Sequence, residues 1–128
     1  MAKRILIVED DPAIGPMIAQ ILALDGVESE IVAEGRRALD VLGAGSFDMV
    51  ILDVMLPGLD GISILKAIRE KPATSSLPVL MLTAKVDDET TWAGWRAGCD
   101  YYLPKPFDPE VLVATVKGIE KARTSSPG

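Results

Sequence analysis

The chain has 128 residues, a length that suits one domain with a core of its own. Apolar residues make up 48% and charged residues 25%, the balance of a globular protein, and no apolar run approaches the ~20 residues that a membrane span requires. The net charge of -6 argues against direct nucleic-acid binding, and the absence of histidine excludes histidine metal sites and serine–histidine triads.

The first elements are a strand, a helix and a weaker strand. Ile5 to Val8 is a short β-branched run of the kind typical of buried strands. The apolar spacing that follows predicts a helix with Asp11 as its N-cap, Pro12 at its first position and Gly26 at its end. Residues 27–32 read as a weaker strand, at an edge of the sheet.

The rest of the chain continues the alternation of strands and helices. Strands are predicted over residues 47–52, 77–82 and 101–103, and helices over residues 33–45, 62–70, 87–97 and 109–122. Five strand–helix units imply a parallel sheet with helices on both faces, and continuous apolar strands suit such a doubly covered sheet. We therefore predict an α/β domain over residues 1–122, with residues 123–128 as a tail or linker.

Chemically active side chains follow four of the predicted strands. Glu9 and Asp10 follow the first strand, Asp53 ends the third, Thr83 ends the fourth and Lys105 follows the fifth. In an open parallel sheet the carboxyl ends of the strands meet at one edge, beside the point where the strand order reverses. We expect these side chains to converge there.

Each of these residues alone is most simply a solvated loop residue or a helix cap. That interpretation does not explain the whole set, because carboxylates at the ends of two buried strands repel each other and a cation relieves that cost. Oxygen ligands without histidine or cysteine favour Mg²⁺, with Mn²⁺ as the alternative. Beside such an ion and Lys105, the Asp53 carboxylate could form an aspartyl phosphate.

Four motifs carry a resemblance to a known family. The segments ILIVEDDP, VILDVMLPGLDG, VLMLTA and GCDYYLPKPF, in this order, resemble the receiver (CheY-like) domains of two-component response regulators, over Lys3 to about Ala122. The resemblance implies a flavodoxin-like doubly wound (βα)5 fold with sheet order 2-1-3-4-5. It also implies that Asp53 accepts a phosphoryl group from the phosphohistidine of a sensor histidine kinase or phosphotransfer protein in the cytoplasm.

The resemblance further implies the ligands of the ion. Asp10, Asp53 and the backbone carbonyl of Met55 would bind Mg²⁺, and Glu9 would act mainly through a metal-bound water. Lys105 would pair with the phosphoryl oxygens. Such a domain catalyses only its own phosphorylation and dephosphorylation, so we do not expect an enzyme in the ordinary sense.

A switch is implied as well. On phosphorylation the Thr83 hydroxyl would move towards the phosphate and Tyr102 would swing inward behind it. The Lys105–Pro106 peptide bond is expected to be cis. The surface that changes would be the last helix–strand–helix segment, residues 87–122, which could bind an output partner or a second copy of the chain. We expect no output domain, no nucleic-acid contact and no membrane contact in this chain.

Several other residues have two interpretations. Trp92 and Trp95 are predicted to pack onto the sheet and a neighbouring helix, with a partner contact as the alternative. Lys85, two residues after Thr83, could guard the phosphate from water. The single cysteine, Cys99, is predicted to be a small buried residue, which suits a reducing compartment.

One departure from the family concerns dimers. Receivers of the winged-helix transcription-factor subfamily share charged residues that link an activated dimer. The matching positions here are the uncharged Thr91, Tyr101, Val111 and Thr115. This difference argues against a dimer of that type.

Other functions fit the residues less well. A haloacid-dehalogenase-like hydrolase needs a second acid two residues after its nucleophile, where this chain has Met55. A nucleotide hydrolase needs a GxxxxGK loop, which the chain lacks. A flavodoxin-like cofactor site needs a hydroxyl-rich loop after the first strand, where this chain has three acids. A degenerate receiver that acts only as a scaffold is the remaining alternative, and the presence of all five site residues argues against it.

Overall fold

The computed structural model describes residues 4–56, 60–84 and 88–125. In this part of the chain five strands alternate with five helices. The strands are β1 Arg4–Val8, β2 Glu28–Val32, β3 Met49–Asp53, β4 Val79–Thr83 and β5 Tyr101–Pro104. The helices are α1 Ile14–Leu24, α2 Gly35–Ala44, α3 Gly61–Glu70, α4 Asp88–Ala97 and α5 Pro109–Ser125. The Pro57-Gly58 pair predicts a turn after Asp53, and this pair lies outside the described residues, as do Lys85 and the first residue of the 87–97 helix.

The five strands form one parallel sheet in the order β2-β1-β3-β4-β5. This order confirms the predicted α/β fold. The order reverses at β1, which lies between β2 and β3, so the first and third strands end side by side. In the register, Leu52 of β3 lies opposite Val8 of β1 and Met81 of β4, and Met81 lies opposite Tyr102 of β5. The carboxyl ends of these four strands are therefore level.

Two apolar clusters cover the two faces of the sheet. Because successive side chains of a strand point to opposite faces, Leu6 and Val8 belong to the cluster under α2 and α3, while Ile5 and Ile7 belong to the cluster under α1 and α5. All five residues of β3 and of β4 are buried, which explains their unbroken apolar sequences. The polar edge strand β2 is mostly exposed or half-buried, as predicted.

The helix ends mostly follow the predicted signals. Gly26 after α1 and Gly98 after α4 have φ angles of 77° and 98°, which favour glycine. The start of α1 differs from the prediction, because the helix begins at Ile14 and not at Pro12. The Asp11 carboxylate accepts the amide hydrogen of Ala13 at 2.8 Å, so it stabilises a turn that precedes the helix.

Neither tryptophan is buried against a face of the sheet, so the predicted packing was wrong. Trp92 is 63% exposed and Trp95 is 42% exposed. The buried residue of α4 in this region is Gly94, and its neighbours in sequence point away from it around the helix. Trp95 instead meets the exposed ring of Tyr101 edge-on, with 6.2 Å between the ring centroids.

The apolar spacing of the last helix predicts an inward face at Val111, Leu112, Thr115, Val116 and Ile119, and this prediction was wrong for Val111. Leu112, Val116 and Ile119 are buried, but Val111 is 44% exposed. One residue corresponds to about 100° around a helix, so Val111 lies to the side of the buried stripe. The helix itself continues to Ser125, three residues beyond the predicted end.

An arginine joins four elements at the opposite end of the sheet. The Arg69 guanidinium, at the end of α3, donates to the Leu77 carbonyl at 2.6 Å, to the Gly98 carbonyl at 2.9 and 3.1 Å, and to the Asp100 carboxylate at 3.2 Å. The same carboxylate oxygen accepts the amide hydrogen of Val79, the first residue of β4. This network fixes the carboxyl end of α4 against the sheet.

The helices of the described chain contain none that could cross a bilayer, since each is too short or too polar for a span.

Candidate functional site

Asp53 is the last residue of β3 and only 4% exposed. The backbone turns back behind it, because the Gly61 amide at the start of α3 donates to the Val54 carbonyl at 2.8 Å. A Cβ atom at Gly61 would lie 2.3 Å from the carbonyl oxygen of Asp53, so no larger residue fits without a backbone shift. The buried strand and this close turn together give Asp53 a fixed position at the edge of the sheet.

Lys105 links two of the acids. Its ammonium donates to Oε1 of Glu9 at 2.5 Å and to Oδ2 of Asp53 at 3.0 Å. The Lys105 backbone is held in turn, since its amide donates to the Thr83 carbonyl at 2.7 Å. The Lys105–Pro106 peptide bond is cis, the isomer that the resemblance implies. The carboxylates at the carboxyl ends of β1 and β3 therefore meet at the single ammonium that follows β5.

In the site two carboxylates, of Glu9 and Asp53, share the single ammonium of Lys105. Burial and the neighbouring Asp53 raise the pKa of Glu9 from 4.5 to about 7, against the lowering effect of Lys105. For Lys105, burial lowers the pKa, but hydrogen bonds to both carboxylates outweigh it and leave the pKa above its ordinary value. Burial is the largest cause of the Glu9 shift, and Lys105, which is shared between two acids, offsets only part of it. The site has an excess of negative charge.

The carboxylates form a group that fits a hard cation. Glu9, Asp10 and Asp53 each offer an oxygen, and these oxygens lie within 4.8 Å of one another. Glu9 and Asp53 are buried while Asp10 is exposed, so an ion has access from solvent on one side. Oxygen donors with an unneutralised negative charge suit Mg²⁺ or Mn²⁺. The residues present therefore fit the ion that the sequence predicts.

Two backbone amides hold the buried carboxylates in orientation. The Met55 amide donates to Oδ1 of Asp53 at 3.0 Å, and the Asp11 amide donates to Oε2 of Glu9 at 3.2 Å. Each buried carboxylate thus has one oxygen facing Lys105 and the other facing a backbone N–H. The Met55 side chain is 58% exposed, so it does not cover the acids.

Thr83 and Tyr102 lie on the neighbouring strands. In the register Asp53 lies opposite Leu82, so Thr83, fully buried, is one residue beyond it on β4. Tyr102 on β5 is 8% exposed and belongs to the apolar cluster under α2 and α3. Its ring lies inward against Gly94 of α4 and near Met81.

The structure thus brings together Glu9, Asp10, Asp53 and Lys105, and it places Thr83 beside them. Asp11, the third acid after β1, lies outside the carboxylate group and forms the turn before α1. The Asp60-Gly61 pair predicts a turn after Asp53, but the sequence did not predict the contact of Gly61 with the Asp53 carbonyl. The Asp-Gly pair at 60 and 61 was the available signal.

A family model described as the response regulator receiver domain matches residues 5–117. Among curated proteins, the chain is 37% identical to the DNA-binding response regulator MtrA of Mycolicibacterium smegmatis, over 99% of this chain and 54% of that protein. It is 38% identical to the response regulator MprA of Mycolicibacterium vanbaalenii, over 100% of this chain and 54% of that protein. The chain therefore spans about half the length of these relatives.

Solved structures give the same result. The chemotaxis response regulator CheY4 of Vibrio cholerae superposes with a TM-score of 0.87 at 34% identity, over 93% of this chain and 99% of that chain. A CheY-like response regulator receiver domain protein from Methanospirillum hungatei superposes with a TM-score of 0.89 at 29% identity, over 98% of this chain and 100% of that chain.

Proposed function

The chain belongs to the response regulator receiver domain family, and from this premise we propose that Asp53 accepts a phosphoryl group from a phosphohistidine of a partner protein. The partner is a sensor histidine kinase or a phosphotransfer protein, and both act in the cytoplasm. The acceptor chemistry depends on a divalent ion, with Mg²⁺ as the first choice and Mn²⁺ as the second.

The observation that carries this proposal is the contact of Lys105 with both Glu9 and Asp53 at the carboxyl edge of the sheet. A lysine between two carboxylates, one of them at the rigid end of β3, is well suited to phosphoryl transfer. That reaction needs a fixed nucleophile and neutralised phosphoryl oxygens more than it needs acid–base catalysis. The shared ammonium meets both needs.

The transfer is a nucleophilic displacement at phosphorus, with Asp53 as the nucleophile. A carboxylate oxygen of Asp53 attacks phosphorus in line with the P–N bond of the phosphohistidine. That bond breaks, its electron pair goes to the imidazole nitrogen, and this nitrogen takes up a proton from solvent, so that neutral imidazole leaves. The product at Asp53 is an acyl phosphate, with Lys105 paired to one of its oxygens.

Asp10, Asp53 and the backbone carbonyl of Met55 would hold the ion, with Glu9 acting through a water. A bound ion supplies positive charge to the phosphoryl oxygens. Lys105 donates to one oxygen of the nucleophile, and the Met55 amide donates to the other and fixes its rotamer. Support comes from the three carboxylates that offer oxygens close together.

The response to phosphorylation is a two-state switch. The Thr83 hydroxyl and Lys105 turn to the new phosphoryl oxygens, and Tyr102 occupies its inward position. The exposed surface of α4, β5 and α5 then changes, and an output partner or a second copy of the chain binds the changed surface. A modification of this kind only biases an existing equilibrium, so a differential contact energy of a few kcal/mol is sufficient.

The test is incubation with acetyl phosphate and Mg²⁺, followed by intact mass measurement. We expect one phosphoryl adduct in the wild type, and none in Asp53→Ala or in the presence of EDTA. Asp60→Ala is the matched control, because this exposed carboxylate caps α3 outside the cluster and its loss should leave the adduct in place. An adduct that survives Asp53→Ala would contradict the assignment.

A further inference from the structure

Gly94 lies in the middle of α4, where glycine is the least favourable ordinary residue for a helix. It is buried. A Cβ atom built on it would lie 3.2 Å from both Cδ2 and Cε2 of the Tyr102 ring, and 3.4 Å from the sulfur of Met81. Contacts of 3.2 Å are closer than a carbon–carbon contact at optimal separation. The helix therefore has a glycine at the point where the ring of Tyr102 touches it.

Another helix glycine shows that this contact is specific. Gly118 lies in the middle of α5, and a Cβ atom built there would meet nothing within 4 Å. In the described part of the chain, no neighbour occupies the space that a side chain at Gly118 would fill. At Gly94 the absence of a side chain makes room for the ring of Tyr102, a residue that is only 8% exposed.

The position of the ring cannot be adjusted freely. Tyr102 is in register with Met81 on the neighbouring strand, so its backbone is held by the sheet. The carboxyl end of α4 is held by the Arg69 hydrogen bonds to the Gly98 carbonyl. An added methyl group at Gly94 must therefore move the ring, or move the middle of α4 away from the sheet.

We propose that Gly94 is a positioning residue for Tyr102. Because Gly94 has no side chain, the Tyr102 ring can lie inward against α4, and we call this contact the seat of the ring. The seat couples the position of α4 to the rotamer of Tyr102. The role of that seat in signalling rests on the proposed function, whereas the seat itself does not. An alanine at position 94 shifts the equilibrium of the ring towards the outward orientation. By linkage, it also weakens any ligand of the phosphoryl site that favours the inward ring.

The first experiment is a double-mutant cycle on folding, measured by urea denaturation. Gly118→Ala should raise the folding equilibrium constant about fivefold, which is about 1 kcal/mol at 1.4 kcal/mol per tenfold, because alanine is the better helix former. Gly94→Ala should give no gain or a loss. In the background of Tyr102→Val, which removes both contacting ring carbons, Gly94→Ala should recover the gain of about fivefold. A full gain for Gly94→Ala in the wild-type background, or no recovery with Tyr102→Val, would overturn the proposal.

The second experiment reports the ring directly. In a Tyr101→Phe background, Tyr102 is the only tyrosine, and its nitration by tetranitromethane is followed by peptide mass. We expect Gly94→Ala to be nitrated several-fold faster than Gly118→Ala, which a merely structural effect on helix stability would not produce. Equal nitration rates would overturn the proposal.

The third experiment tests the link to the phosphoryl site with beryllofluoride and Mg²⁺, a mimic of the bound phosphoryl group. Gly94→Ala should bind it several-fold more weakly than Gly118→Ala. An equal affinity would overturn the positioning role. If the wild type itself does not bind beryllofluoride, the proposed function fails, while the folding cycle and nitration still decide whether Gly94 seats Tyr102.

Discussion

Replacement of Glu9 by glutamine tests the electrostatics of the acidic cluster most sharply. Glu9 is buried beside Asp53, and its pKa is raised to about 7. Between pH 4.5 and 7 the folded protein therefore keeps a proton on Glu9 that the unfolded chain releases. The folded state binds more protons in this window, so the free energy of unfolding falls as the pH rises through it.

The size of the effect follows from the two pKa values. At about 1.4 kcal/mol per pH unit, ionisation of Glu9 lowers the free energy of unfolding by up to about 3 kcal/mol above pH 7, and by little below pH 4.5. Glu9→Gln has no such charge, and its amide oxygen can still accept from Lys105. The stability of Glu9→Gln relative to the wild type should therefore grow by about 2 kcal/mol between pH 5 and pH 7.5.

The assay is urea denaturation followed by far-UV circular dichroism at both pH values, in EDTA so that no divalent ion neutralises the cluster. Glu28→Gln is the matched control, because it removes the same charge from a residue that is exposed on the edge strand β2 and lies outside the cluster. A difference between Glu9→Gln and the wild type that is equal at both pH values would refute the reasoning. So would a difference that shrinks as the pH rises.

Three further predictions concern the scaffold around the site. Arg69→Met should lower the free energy of unfolding by about 1–3 kcal/mol in urea denaturation, because it leaves the half-buried Leu77 carbonyl and Asp100 carboxylate without their charged donor. The exposed Arg37→Met should change it by less than about 0.5 kcal/mol, and equal losses would argue against the network. Gly61→Ala should cost at least about 2 kcal/mol in thermal denaturation, since its Cβ would overlap the Asp53 carbonyl, and wild-type stability would contradict this contact. Burial raises the pKa of the Cys99 thiol to about 11, so about one thiol in 1,000 is ionised at pH 8. Iodoacetamide should therefore label the folded protein at least about 100-fold more slowly than the protein in urea. Comparable labelling rates would show that the thiol is accessible in the folded protein.

The strands and the convergence of the acids could be predicted from the sequence because each depends on a local rule. An unbroken apolar run such as Met49–Leu52 marks a doubly covered strand, and parallel strands bring their carboxyl ends to one edge. Asp53 and Lys105, which are 52 positions apart in sequence, could be paired on that rule alone. The resemblance to receivers added the strand order and the expected roles.

The tryptophans and the glycines could not be assigned in the same way. Trp92 and Trp95 are apolar and three residues apart, which is a pattern of a buried helix face, but burial depends on which side of α4 faces the sheet. That side is set by a residue with no side chain, Gly94, and by the ring of Tyr102 from a different element. No periodicity in the helix records a contact of this kind.

The smaller differences between prediction and structure lie at the start of a helix and at the border of a buried helix face. The Asp11 carboxylate can cap a helix that starts directly after it or a turn that precedes the helix, and the sequence does not separate the two. Val111 lies within one residue of the buried stripe of α5, where a rotation of 100° decides between burial and exposure.

The central claim is that Asp53 is the residue that receives the phosphoryl group, and identification of the modified residue tests it most directly. The protein is phosphorylated with acetyl phosphate and Mg²⁺, and the acyl phosphate is reduced with borohydride, which converts an aspartyl phosphate to homoserine. Peptide sequencing by mass spectrometry should then find homoserine at position 53 and at no other aspartate. Homoserine at Asp10, or a reduced glutamyl side chain at Glu9 with position 53 intact, would contradict the account.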